Sequence, residues 1–95
     1  LRVGCGHDRH RLGPDRPLIL GGVTIPHSQG LVGHSDADVL LHALTDAILG
    51  ALALGDIGEW FPDNAQENKD RDSKDMLAKV LAEAGGGQFR ILNVD

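Results

Sequence analysis

Asp8, His10 and His42 are residue types that bind divalent metal ions, and their spacing lets one ion reach all three. The first two sit in the run Gly4-Cys5-Gly6-His7-Asp8-Arg9-His10. If residues 2–11 are extended, their side chains alternate faces. Asp8 and His10 then share one side while His7 and Arg9 take the other. A third ligand is available from His42, about thirty residues on in a helical pattern. Zinc takes both imidazole nitrogen and carboxylate oxygen, and three protein ligands leave a fourth tetrahedral position for water or substrate. An isolated Asp-x-His pair is also a common salt-bridged surface element, so the rest of the chain must bring the third ligand.

The elements that position these residues follow from local pattern. After the first strand, the stretch from Leu12 to Pro17 is turn chemistry, and Leu18-Ile19-Leu20 and Val23-Thr24-Ile25 form a hairpin at an edge, joined through Gly21-Gly22. Residues 27–35 form a loop with two glycines. A helix is expected over residues 36–52, capped by Ser35, with Asp38 standing where a capping box has Glu. Leu40, Leu44, Ala47, Ile48 and Ala51 make its apolar stripe, and Asp38, His42 and Asp46 a polar stripe with His42 between two carboxylates. Such a stripe is either a solvated face or an imidazole whose tautomer a carboxylate fixes for metal binding. Residues 54–64 form a glycine-bearing loop pinned by Trp60 and Phe61, with Asp56 and Asp63 able to accept hydrogen bonds from hydroxyls. A second amphipathic helix starts at a Ser73 cap, buries Met76, Leu77, Val80, Leu81 and Ala84, and stops at Gly85-Gly86-Gly87. Residues 88–95 alternate as a final half-buried strand. The order gives an α+β fold, a sheet with two helices packed on one face.

At 95 residues the chain is a single domain over residues 1–95. It is expected to be the N-terminal portion of a longer one, because a domain this small buries only about 60–65% of its unfolded surface and its last strand lacks a partner. The net charge of −5 and nine scattered Lys and Arg carry no basic run, which argues against nucleic acid as the principal ligand. A single cysteine, Cys5, excludes an internal disulfide and a thiolate metal cluster. The longest apolar stretches are interrupted by His42, Thr45 and Asp46, far short of the roughly 20 residues that span a bilayer, so no membrane association is expected.

Six short motifs in order extend the argument: Gly4-x-Gly6-x-Asp8-x-His10, Leu20-Gly21-Gly22-Val23-x-Ile25-Pro26, His34-Ser35-Asp36-x-Asp38-Val39, His42-Ala43-x-Thr45-Asp46-Ala47, Gly55-Asp56-Ile57-Gly58 and Phe61-Pro62-Asp63. Together they resemble the 2-C-methyl-D-erythritol 2,4-cyclodiphosphate synthase family, as its N-terminal part. The resemblance implies cyclisation of 4-diphosphocytidyl-2-C-methyl-D-erythritol 2-phosphate with release of CMP, in non-mevalonate isoprenoid biosynthesis. It implies a homotrimer in the bacterial cytoplasm, or in the plastid of a plant. By matched position it makes Asp8, His10 and His42 zinc ligands, and His34 a catalytic residue that contacts phosphate with Ser35. Asp56, Ile57 and Gly58 would hold the methylerythritol hydroxyls, and Phe61, Pro62 and Asp63 would line the same pocket. A second divalent ion, magnesium or manganese, is implied, with its protein ligand and the cytidine pocket beyond Asp95.

Departures and rivals stand beside the resemblance. Ala65 occupies a place where the family often has a second Asp, and Cys5, His7, Arg9 and His27 receive no role. Two His and a carboxylate also make the triad of a mononuclear non-haem iron enzyme, and a closed metal site would mark a non-catalytic assembly fragment.

Overall fold

A computed structural model describes residues 1–62, 71–84 and 88–95. Among these residues, four short strands, β1 (Leu12–Gly13), β2 (Leu18–Leu20), β3 (Val23–Ile25) and β4 (Gly30–Leu31), precede three helices, α1 (Val39–Ala51), α2 (Ile57–Trp60) and α3 (Ser73–Glu83). The strands form two antiparallel pairs, β1 with β4 and β2 with β3, so the fold is α+β as the pattern predicts. Gly21 and Gly22 both take positive φ, 63° and 77°, which suits a two-residue hairpin turn of the type that matches strand twist. Leu20 faces Val23 across it, as expected for this hairpin.

The core lies between the helices rather than under the strands. Ile48 and Leu49 of α1, Phe61 after α2, and Met76 and Val80 of α3 are buried together, with Leu44, Leu52, Ile57, Trp60, Leu77, Leu81 and Ala84 packed around them. Full burial of a side chain such as Leu49 or Val80 stabilises by about 1.5–3 kcal/mol. The apolar face assigned to the second helix is thus the observed one. The stripe assigned to α1 is rotated: Leu41, Thr45, Ile48 and Leu49 are its buried residues, while Leu40 is exposed. Thr45 tolerates burial because its hydroxyl donates to the Leu41 carbonyl at 2.7 Å.

The rotation has a physical cause, since a second partner covers α1. The chain around residues 2–6 runs along the helix in the opposite direction. A Cβ added to Gly6 would strike the Ala43 carbonyl, one added to Gly4 the Ala47 carbonyl, and Arg2 donates to the Ala51 carbonyl at 3.3 Å. Two extended residues advance about 6.6 Å and four helical residues about 6 Å, so the two stay in step. Glycine on one side and alanine on the other permit this approach.

Several expected boundaries move. No ladder includes residues 2–11 or 88–95 among the described residues: the first segment lies against α1 instead of beside a strand, and the last has no neighbouring strand. Paired strands occur instead at Leu12–Gly13 and Gly30–Leu31, within stretches expected to be turn and loop. The first long helix begins at Val39, not near residue 36, because Ala37 sits at φ 57° and the Asp38 carboxylate caps the helix by accepting from Leu41 N–H. The loop at 54–64 contains α2, capped by Asp56. The cap of α3 is Asp72, with Ser73 its first residue. The expected Gly85–Gly87 stop, Asp63 and Ala65 lie outside the described residues.

Candidate metal and phosphate site

Asp8 and His10 extend the even-numbered face that Gly4 and Gly6 press on α1, and this brings both beside His42. Asp8 Oδ2 is 3.2 Å from His42 Nδ1 and 3.2 Å from His10 Nδ1. The two imidazoles meet edge to face, centroids 5.6 Å apart at 61°. One ligand atom from each of the three residues can be chosen so that all lie within 4.8 Å of one another. Donors on one tetrahedral zinc ion at 2.0–2.1 Å are about 3.3 Å apart, close to the two separations found. His10 Nδ1 is buried and, although close to Asp8, lies outside hydrogen-bonding geometry and has no hydrogen-bond partner. A buried ring nitrogen left in that state is the arrangement a metal ion relieves. The donor set therefore fits a divalent cation.

A cavity of about 200 Å³ opens on these ligands, and its wall includes His34, Ser35, Ile57, Gly58, Phe61 and Met76. His34 and Ser35 arrive on a loop that Arg16 fastens, its guanidinium donating to the Gly33 and Ser35 carbonyls, each at 3.0 Å. Ser35 Oγ accepts from Ala37 N–H at 3.2 Å. Ser35 is not the cap of α1 as expected, because the helix starts later and the Asp38 carboxylate accepts from Leu41 N–H. Ile57 and Gly58 reach the wall because the Asp46 carboxylate accepts from Ile57 N–H at 2.7 Å, tying α2 to α1.

The structure thus gathers Asp8, His10, His34, Ser35, His42, Ile57, Gly58 and Phe61 on one cavity. It does not bring Asp56 or Pro62 to that wall. Asp56 Oδ1 is engaged by Glu59 N–H at 2.9 Å as the cap of α2. Nor is His42 held by Asp38 and Asp46, as the four-residue spacing suggests. Asp38 Oδ1 and Oδ2 accept from Gly21 and Gly22 N–H at 3.0 and 2.7 Å, and Asp46 turns to Ile57. Its neighbours are Asp8 on one ring nitrogen and Ser73 on the other, with Ser35 farther off. Sequence spacing gives no signal for Ser73, Arg16 or Met76, which come from elements remote in the chain.

A family model described as the YgbB family matches residues 1–95. The chain belongs to the YgbB family. Among curated relatives, the chain is 59% identical to the 2-C-methyl-D-erythritol 2,4-cyclodiphosphate synthase of Paraburkholderia phymatum, over all of its own length and 60% of the relative's. It is 54% identical to the synthase of that name from Listeria monocytogenes, with the same coverage of both chains. A solved synthase structure with CDP bound superposes at TM-score 0.77 and 46% identity, over 85% of this chain and 54% of the other. The bifunctional IspDF of Campylobacter jejuni does so at TM-score 0.81 and 48% identity, over 87% of this chain and 22% of the other. The chain spans about 60% of the length of the curated relatives it matches.

Proposed function

We propose that this chain carries the metal-binding and phosphate-positioning part of a 2-C-methyl-D-erythritol 2,4-cyclodiphosphate synthase. The 2-phosphate of 4-diphosphocytidyl-2-C-methyl-D-erythritol 2-phosphate would attack the β-phosphorus. The bond from that phosphorus to the bridging oxygen breaks, and CMP leaves with the oxygen. The observation that carries the proposal is the convergence of Asp8, His10 and His42 on one point of the cavity wall that His34 and Ser35 share.

Zinc held by Asp8, His10 and His42 would polarise a diphosphate oxygen and offset its charge. The chain's own side chains do the rest. Phosphoryl transfer asks mainly for positioning and for charge stabilisation on the phosphorus oxygens. His34 donates a hydrogen bond to a phosphate oxygen as charge builds on it. Ser35 Oγ, fixed by Ala37 N–H, offers a second polar contact on the same side. Ile57 and Gly58, held by Asp46, bound the other side, where the methylerythritol portion would lie, with Phe61 on the same wall. Asp56 is proposed to join Ile57 and Gly58 in holding its hydroxyls, and Pro62 and Asp63 to contact the same portion of substrate. Holding both phosphates in a folded substrate makes the attack intramolecular, which removes much of the entropic barrier.

The second divalent ion, magnesium or manganese, and the cytidine pocket belong in this proposal to chain beyond Asp95. A homotrimer is proposed as well. Exposed Leu1, Val3, Ile91, Leu92 and Val94, on stretches with no ladder among the described residues, support a covering subunit or further chain. The bacterial relatives support a cytoplasmic location, with the plastid its counterpart in a plant. No helix among the described residues is long and apolar enough to cross a membrane.

The test is a phosphorus NMR assay of the complete natural chain, supplied with zinc, magnesium and the diphosphocytidyl substrate. Formation of the cyclic diphosphate with one CMP per turnover is expected. Metal analysis that found iron, together with oxygen-dependent turnover, would replace the proposal with the iron-enzyme alternative.

A further inference from the structure

His42 presents its two ring nitrogens to different neighbours. Nδ1 faces Asp8 Oδ2 at 3.2 Å, the oxygen that also faces His10. Nε2 faces Ser73 Oγ at 2.8 Å, with Ser35 Oγ more distant at 3.4 Å. Ser73 is 1% exposed, so water has little access to this contact. Its hydroxyl and its backbone N–H both go to Asp36: the hydroxyl bonds Oδ1, and the N–H donates to Oδ2 at 3.0 Å. Asp36 is itself tied back, its N–H donating to the Arg71 carbonyl at 3.2 Å.

The direction of this chain of hydrogen bonds follows from donor and acceptor capacity. An ionised carboxylate only accepts, so the single Ser73 hydroxyl proton goes to Asp36. The lone pairs of Ser73 Oγ are then left for His42, and a lone pair bonds Nε2 only when Nε2 carries the proton. The neutral ring with its proton on Nε2 has its free lone pair on Nδ1, the nitrogen beside Asp8. We infer that Ser73, oriented by Asp36, is a positioning residue of the metal centre: it holds His42 in the tautomer that presents Nδ1 as the ligand. A histidine ligand whose other nitrogen donates to a fixed acceptor is a better-oriented and more basic donor. The residues involved span three elements, the loop that carries Ser35 and Asp36, α1 and the first turn of α3, so the ion and that loop share one brace. This inference rests on the metal-binding proposal above.

The experiment uses the complete natural chain. Long-range proton–nitrogen NMR of the zinc-bound protein reads which His42 nitrogen carries the proton and which holds the ion, and competition with a chelator reads zinc affinity. The absorption spectrum of the cobalt-substituted protein reads ligand geometry. The expected wild-type result is His42 protonated on Nε2. Ser73→Ala is expected to lose that preference, to bind zinc about 10–100-fold more weakly and to alter the cobalt spectrum, with Ser73→Thr restoring all three. A wild-type His42 protonated on Nδ1 overturns the inference without recourse to any variant. So does a folded Ser73→Ala protein with wild-type zinc affinity and cobalt spectrum. Absence of zinc binding in the wild type overturns the metal-binding proposal itself, and this inference with it.

Discussion

Replacing Asp38 by alanine removes one fully buried carboxylate that joins the β2–β3 turn to the start of α1. Oδ1 accepts from both Gly21 N–H and Leu41 N–H at 3.0 Å, and Oδ2 accepts from Gly22 N–H at 2.7 Å. Hydrogen bonds to a charged group contribute roughly 1.5–3 kcal/mol each. The two glycine amides lie on an open turn and can move toward water, which puts them at the low end of that range. Loss of the helix cap adds about 1 kcal/mol. The expected destabilisation of Asp38→Ala is therefore about 4 kcal/mol, a large share of the roughly 5–15 kcal/mol that holds a domain folded. Asp38→Asn separates the two jobs. An amide oxygen in the Oδ1 place keeps the cap and Gly21, while the amide nitrogen meets the Gly22 N–H, so about 1.5–2 kcal/mol is expected. Urea denaturation of the complete natural chain at fixed protomer concentration measures both. Equal stability of the asparagine and alanine variants, or a loss below about 1 kcal/mol for alanine, would refute the reasoning.

Two further substitutions probe the site and its support. His34→Ala should lower kcat and kcat/KM by similar factors, on the order of 10²–10³, with zinc retained; a raised KM at unchanged kcat would reduce His34 to a ground-state contact. Gly6→Ala places a methyl group against the Ala43 carbonyl and should push the Asp8–His10 segment off α1, costing about 1–3 kcal/mol and weakening zinc binding. Unchanged melting temperature and zinc affinity in that variant would mean the segment does not depend on the close approach.

What the sequence discloses is the part set by short-range geometry. Asp8 and His10 share a face because extended chain alternates, and the Gly21-Gly22 hairpin follows from a turn only glycine adopts easily. The face of α3 that carries Met76 and Val80 follows from helical period because that helix is covered on one side. The face of α1 is misjudged because two partners cover it, and the alanines facing Gly4 and Gly6 count as weakly apolar in any periodicity. Helical spacing sets His42 between Asp38 and Asp46, yet a buried carboxylate goes to whatever N–H donors tertiary structure supplies. Here those are Gly21 and Gly22, sixteen or seventeen residues away, and Ile57, eleven away. Ser73 reaches His42 across 31 residues and carries no local motif beyond its place near a helix start. The expected strands at 2–11 and 88–95 show the remaining gap, since alternation marks a segment fit for a sheet without naming its neighbour.

Zinc stoichiometry, measured by elemental analysis on the purified complete chain, bears most directly on the proposed role of Asp8, His10 and His42. The wild type and a His27→Ala control, whose imidazole lies outside the cluster, should each carry about one zinc per chain, and His42→Ala close to none. Equal zinc in the wild type and the His42→Ala variant would contradict the assignment.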